Sequence, residues 1–136
     1  MTDIYTDGSC LKNPGGPSGW AFGIIEKEQE WFVCGGEESS TNNRMELMAV
    51  IEALDFVQTG EYNIYTDSNL TLKCAKNEWK RKANLDLWEL FDNASKDKKL
   101  NWNWVKAHNG NKYNEIVDKL ANKEAKNIKN IKNIVK

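Results

Sequence analysis

Three short apolar stretches open the chain, each bounded by polar or glycine-rich residues. In DIYTDGSCLKNPGG, Ile4 and Thr6 alternate with Tyr5 and Asp7, and the Gly, Asn and Pro residues that follow end the run. GWAFGII (19–25) and EWFVCGG (30–36) are separated by the acidic EKEQ. The three predict strands of a meander joined by short turns. The period then changes. In TNNRMELMAVIEALDFVQTG (41–60), Met45, Met48, Ile51, Ala53, Leu54 and Val57 recur near helical spacing. Thr41, Asn42 or Asn43 can cap the start of this helix, and Gly60 stops its end. EYNIYTDS (61–68) reads as a buried strand, and 69–82 as a helix that turns basic. LDLWELFDNA (85–94) reads as a second helix. LNWNWVK (100–106) is a strand with Leu100, Trp102 and Trp104 on one face, and NEIVDKLANKEAKNI (114–128) is a last helix.

The order βββαβααβα predicts an α/β fold. Its mixed five-stranded sheet would combine a three-strand antiparallel meander with two parallel strands, flanked by helices. No linker interrupts it. One domain is expected over 1–126, with a Lys/Asn/Ile-rich tail over 127–136 in which NIK repeats.

With 136 residues, 40% apolar and 29% charged, the composition is neither disordered nor that of a membrane protein. No apolar run approaches the ~20 residues of a membrane helix, and MTDIYTDGS has no basic-then-apolar leader, so a cytoplasmic protein is expected. Cys10, Cys34 and Cys74 lack paired spacing and predict free thiols rather than a disulfide scaffold or a zinc site. The net charge of −1 hides an asymmetry. Residues 1–72 carry three basic and twelve acidic side chains, and residues 73–136 sixteen and eight. A basic half fits either an anionic partner or a solvated face.

Four acids stand out. Asp7 and Asp67 close the first and fourth strands, at the carboxyl ends where open α/β sheets place their ligand crevices. Glu46 lies in the first turn of the long helix, and Asp118 lies early in the last one beside Val117 and Leu120. Taken singly, each has an ordinary reading as a turn former, a first-turn acid or a solvated charge. Converging at one sheet edge, they would repel one another unless they held cations. All-oxygen ligands select hard ions such as Mg²⁺ or Mn²⁺, and two ions ~4 Å apart suit in-line phosphodiester hydrolysis. His108, the only histidine, sits in the Gly/Asn-rich loop KAHNGNKYN, as either a surface residue or a proton shuttle.

YTDGSCLKNPG (5–15), TNNRMELMAVIEAL (41–54), YTDSN (65–69), NLDLWELF (84–91) and WVKAHNGNKYNEIVDKLA (104–121) together resemble ribonuclease H of type 1, the bacterial enzyme that cleaves RNA in RNA/DNA hybrids. The segments occur in the family's order and cover nearly all of the chain except the tail. The resemblance implies a ribonuclease H-like fold and a metal-dependent endonuclease. It would hold two Mg²⁺ ions, with Mn²⁺ as a substitute, and leave 5′-phosphate and 3′-hydroxyl ends. It implies metal ligation and catalysis by Asp7, Glu46, Asp67 and Asp118, and proton transfer or product release by His108. Asn13 and Asn42 match minor-groove contacts, and Gly8, Ser9 and Cys10 match backbone near the scissile RNA strand. Thr41 and Asn84 match residues that hold a phosphate of the DNA strand, Trp79 the aromatic packed against that strand, and Asn69 a further substrate contact. The partner so implied is an RNA/DNA hybrid duplex, with no membrane, bound by a monomer; primer and R-loop removal would be its role.

Two departures from the family pattern bear on affinity rather than on the acids. Only Asn69–Ala83 spans the gap where many relatives carry a longer basic protrusion, leaving KCAKNEWKRK (73–82), and Ser39 stands where many place an arginine. Three rivals remain in view: a module that binds hybrids without cutting, an integrase-like transferase, and a domain detached from a reverse transcriptase. The full set of acids and His108 speaks against the first, and TNN with Asn84 against the second. The bacterial-type motifs speak against the third. The end of the chain is open to two readings. Residues 119–136 hold six lysines and one acid, Glu124, while Ile128, Ile131 and Val135 suggest a packed face. This is either a solvated helix end or a source of phosphate contacts that the missing loop would have made.

Overall fold

The computed structural model describes residues 1–134, with side chains through Asn130. Strands β1 (Thr2–Cys10), β2 (Ser18–Ile25) and β3 (Glu30–Glu37) form the antiparallel meander. Helix α1 (Asn42–Phe56) follows, then β4 (Gly60–Thr66), α2 (Asn69–Ala75), α3 (Leu85–Ser95), β5 (Lys98–Trp104) and α4 (Lys112–Ile134). The sheet order is β3-β2-β1-β4-β5, with β4 parallel to both β1 and β5. The mixed five-stranded sheet is the one the element order predicts. Among the described residues no helix is long and apolar enough to cross a membrane.

Alternation along the strands loads both faces of the sheet. Ile4, Phe22 and Ile64 point to one side, where Leu47, Val50 and Leu54 of α1 and Leu87, Trp88 and Phe91 of α3 complete the main core. Their neighbours Tyr5 and Ala21 point to the other side, against Val117 and Ala121 of α4. Each fully buried Ile, Leu, Val or Phe among them contributes ~1.5–3 kcal/mol. The three cysteines are free, Cys74 buried and the other two partly so.

Four boundaries differ from the sequence reading. Asp7 does not end β1; the strand continues through Gly8, Ser9 and Cys10, which pair with Trp20, Gly19 and Ser18. Gly8 serves close approach rather than a turn, since a Cβ there would lie 2.3 Å from the Glu46 amide nitrogen. Helix α2 stops at Ala75 instead of 82, and Asn77 then takes a left-handed φ of 60°. Side-chain bonds order the segment beyond it: Arg81 Nε donates to the Cys74 carbonyl at 3.0 Å, Nη1 to Asp92, and the guanidinium lies 4.3 Å from the Trp88 ring centre. Strand β5 occupies 98–104 rather than 100–106, and of the face predicted there Leu100 and Trp102 pack against the core while Trp104, at the strand's end, is 54% exposed. Helix α4 occupies Lys112–Ile134 rather than 114–128. Half-buried Ile128 packs over Gly36. The side chain of Ile131 and all of Val135 lie outside the described residues.

Candidate active site

Two backbone devices bring the acids together. Parallel pairing of β1 and β4 ends at Tyr5 opposite Tyr65, so both chains leave the shared ladder side by side and carry Asp7 and Asp67 with them. Thr41 caps α1 by accepting the Arg44 amide on Oγ1 at 3.1 Å, an arrangement whose loss to alanine costs ~1 kcal/mol. Glu46 lies in the second turn of α1 rather than the first, and Met45 and Glu46 pack against Gly8, which brings the Glu46 carboxyl to β1. Carboxylate oxygens of Asp7, Glu46 and Asp67 all lie within 4.8 Å of one another. Asp118 faces the same open cleft of about 460 Å³ from α4. It is not part of the tight triad, and its Oδ2 lies 3.8 Å from His108 Nδ1.

Burial sets the electrostatics. Asp7 is 3% exposed and Glu46 9%. The Asp7 carboxyl is pushed up to about 7, first by desolvation and then by the charges of Asp67 and Asp118, against a lowering hydrogen bond with Glu46. Glu46 is raised well above the usual range by its enclosure and by facing Asp7 and Asp67. Half-burial and the Asp118 charge raise Asp67. A carboxyl at about 7 is roughly half-protonated at neutral pH, where a free aspartate would be fully charged. Enclosed and facing one another, these acids resist carrying their full negative charge unless protons or cations balance it.

The donor set fits such cations. It is all oxygen, as hard divalent ions require. The Gly8 amide donates to Asp7 Oδ1 at 2.9 Å and to Glu46 Oε1 at 3.1 Å, fixing both carboxylates. Glu46 Oε2 is buried with no partner among the described residues, an orphaned acceptor that a cation would satisfy. The peptide of Asp67 is held in turn, its carbonyl accepting from Trp104 Nε1 at 3.2 Å.

The other residues singled out from the sequence fall around this cleft at different distances. Gly8, Ser9, Cys10 and Asn42 line it. Asn13 Oδ1 accepts the Asn42 amide at 3.1 Å, tying the β1–β2 loop to the start of α1. Asn84, left-handed at φ 57°, accepts from Arg44 Nη1 at 3.2 Å and so joins Thr41 through the same arginine. Arg44 also forks onto Asp86 at 2.8 and 3.0 Å, holding that carboxyl down at about 2. Ser39 donates to the Gly15 carbonyl at 2.6 Å. Asn69 and Trp79 are exposed and outside the cleft lining, Trp79 at 46%. His108 stands on its loop with φ 55° and a side chain 75% exposed.

One residue was missed. Asn122 Nδ2 donates to the Asp118 carbonyl at 3.1 Å and approaches its carboxylate at 3.4 Å, while Oδ1 accepts from Ser9 Oγ at 2.6 Å. It lies four residues after Asp118, on the same helix face, which is the signal that could have found it.

Comparison with known proteins agrees with this geometry. A family model described as RNase H matches residues 1–126. The ribonuclease H of Neorickettsia sennetsu is 44% identical over 143 residues, covering 93% of this chain and 94% of its own. The N-terminal RNase H domain of a Mycobacterium tuberculosis protein, solved as a fusion with maltose-binding protein, superposes with a TM-score of 0.84 at 24% identity, covering 95% of this chain and 96% of that one. LC11-RNase H1, solved in complex with an RNA/DNA hybrid, superposes with a TM-score of 0.81 at 21% identity over 93% of this chain and 98% of that one. With its family match running through 126 residues and its acids gathered at one sheet edge, the chain belongs to the ribonuclease H family, metal-dependent nucleases that hydrolyse the RNA strand of RNA/DNA hybrids.

Proposed function

We propose that the protein is an endonuclease that binds RNA/DNA hybrids and cuts their RNA strand by two-metal-ion hydrolysis, leaving 5′-phosphate and 3′-hydroxyl ends. The observation that carries this reading is the convergence of Asp7, Glu46 and Asp67 within 4.8 Å, one buried oxygen left unpartnered. Asp118, across the cleft, would complete the set that holds Mg²⁺, or Mn²⁺ in its place. Such ions, when bound, supply positive charge to the phosphoryl oxygens and acidify water.

The chain's own groups do the rest. Asp7 and Glu46 are pinned by one amide, so their oxygens need no reorganisation when the phosphate arrives. Water oxygen attacks phosphorus in line, and the bond to the 3′-oxygen breaks. His108, on an exposed loop beside Asp118, takes up or returns the proton at its imidazole. Gly8 to Cys10, Asn13 and Asn42 face the RNA strand, where 2′-hydroxyls distinguish it from DNA, and Thr41, Asn84 and Trp79 receive the DNA strand. Selectivity is then for strand chemistry rather than sequence. Primer and R-loop removal by a cytoplasmic monomer is the setting this activity implies.

The test is cleavage of an end-labelled RNA/DNA hybrid beside RNA/RNA and DNA/DNA duplexes, with Mg²⁺ or Mn²⁺. RNA-strand cutting confined to the hybrid, with 5′-phosphorylated products, is the expected result. Tight binding of the hybrid without cutting in either metal would make the protein a binding module.

A further inference from the structure

From Ala121 onward, helix α4 crosses the sheet along one register row. Ser9 of β1, Gly19 of β2 and Gly36 of β3 are paired across the strands. Asn122 bonds Ser9, Ala121 and Ala125 lie over Gly19, and Ile128 lies over Gly36. That row sits at the carboxyl end of β1, the edge that also carries Asp7 and Asp67. The first turns of the helix lie over Tyr5 and Phe32 on the face of the sheet, and from Ala121 it runs outward along the rim from the edge that carries the acids toward β3.

At 3.6 residues per turn, Asp118, Asn122, Lys126 and Lys129 fall within about 80° of one another around α4, and at 1.5 Å per residue the two lysines lie roughly 12 and 16 Å along the axis from Asp118. Lys119, Lys123, Lys126 and Lys129 are all exposed, and none makes an ion pair with a described residue. The acid of this stretch, Glu124, is half-buried and turned toward Cys34. Asn127 lies between Lys126 and Lys129 and Asn130 just beyond, both exposed and carrying uncharged amide donors. By contrast, the shortened basic segment is largely engaged within the protein. Lys73 and Lys76 both reach Glu78, at 3.6 and 3.5 Å, and Arg81 is bound to Asp92 and stacked on Trp88.

We infer that the exposed side of α4 from Lys119 to Lys129 is a second contact surface for the hybrid, gripping the sugar–phosphate backbone beyond the scissile bond chiefly through Lys126 and Lys129. This rests on the proposed hybrid cleavage. Charge complementarity selects the occupant: a file of unpaired lysines interleaved with amides, leading straight from the cleft, matches a file of phosphates. Duplex backbones are contacted by such groups independently of sequence.

Lys126→Gln/Lys129→Gln tests it, with Lys27→Gln/Lys99→Gln, at the opposite rim of the sheet, as the control. Deleting the tail is the poorer probe, because Ile128 packs over Gly36. Anisotropy titrations of a labelled hybrid in chelator, at several salt concentrations, give the slope of log K against log salt. The α4 variant is expected to flatten that slope by roughly 1 to 2 and to bind about tenfold more weakly at 50 mM salt, because each neutralised phosphate contributes ~0.9 to the slope. In Mg²⁺ its KM should rise while kcat at saturating hybrid stays unchanged, and the control should match wild type throughout. Superimposable slopes for the wild type and the α4 variant, or equal losses in both variants, overturn this contact alone. A wild type that neither binds nor cuts the hybrid overturns the contact together with the function it rests on.

Discussion

The Gly8 amide donates to Glu46 Oε1 while Glu46 Oε2 remains buried and unpartnered. One oxygen of the carboxyl is thus fixed by the strand it packs on, and the other is held ready with its hydration already lost. The cost of burying that acid is met in folding, not at the moment a cation binds.

Asp7→Asn should abolish cleavage and leave the fold intact. A carboxyl raised from 3.8 to about 7 binds its proton in the folded state where the unfolded chain has released it. Its contribution to stability is therefore fully present below pH ~4 and is lost as pH rises through about 7. Asparagine mimics the protonated form at every pH. In chelator, denaturant unfolding should show wild-type stability falling between pH 5 and 8, and the variant unchanged or more stable with a shallower fall. A variant clearly less stable in chelator would make Asp7 a structural residue.

Millimolar Mg²⁺ should raise the thermal midpoint of the wild type more than that of Asp7→Asn. Binding only the folded state stabilises by RT ln(1 + [L]/Kd), roughly 1.4 kcal/mol at tenfold excess over Kd. Calorimetric scans of both proteins with and without the ion decide it, and equal shifts would remove Asp7 from the metal site.

His108→Ala should slow turnover by ~10²–10⁴-fold and leave measurable activity. The imidazole is exposed on its loop, so solvent water reaches the same position and partly replaces it. Single-turnover rates are the readout. A loss as complete as that of Asp7→Asn would assign His108 to holding the metal site instead.

Gly19→Ala should destabilise by ~1–3 kcal/mol or more, as overpacking does. The added Cβ would sit 2.2 Å from the Ala121 carbonyl oxygen and 2.9 Å from the Ala125 amide nitrogen, so α4 must lift. Because Asp118 rides on that helix, Mg²⁺ affinity should weaken alongside the midpoint. An alanine variant with wild-type stability and metal response would show that α4 sits higher over β2 than described.

Much of this was legible in the residues. Alternation at Ile4–Asp7 and helical spacing from Met45 to Leu54 gave the right elements, because those positions face a core whatever their neighbours do. Asp7 and Asp67 drew notice as strand-end acids, and parallel pairing does place them together. The details that escaped depend on contacts far apart in the chain. β1 runs on to Cys10 because of the β2 partners of Gly8 and Cys10, which local turn chemistry cannot reveal. The end of α2 and the ordering of 76–84 turn on Arg81 reaching Cys74, Asp92 and Trp88. Asn122 looked like one more polar residue of a Lys/Asn-rich helix until Ser9 was found against it.

The Ser9–Asn122 bond joins residues 113 apart in sequence, near opposite ends of the chain. In synthesis Asp7, Glu46 and Asp67 are all added before Asp118. Pairings of such long separation form late, after the local elements they connect. A chain that lacks α4 therefore carries Asp7, Glu46 and Asp67 without Asp118, and leaves the Tyr5 and Ala21 face of the sheet uncovered. The proposed metal site would thus gain its fourth acid only once α4 has docked on the sheet, so its completion would follow the folding of the domain rather than precede it.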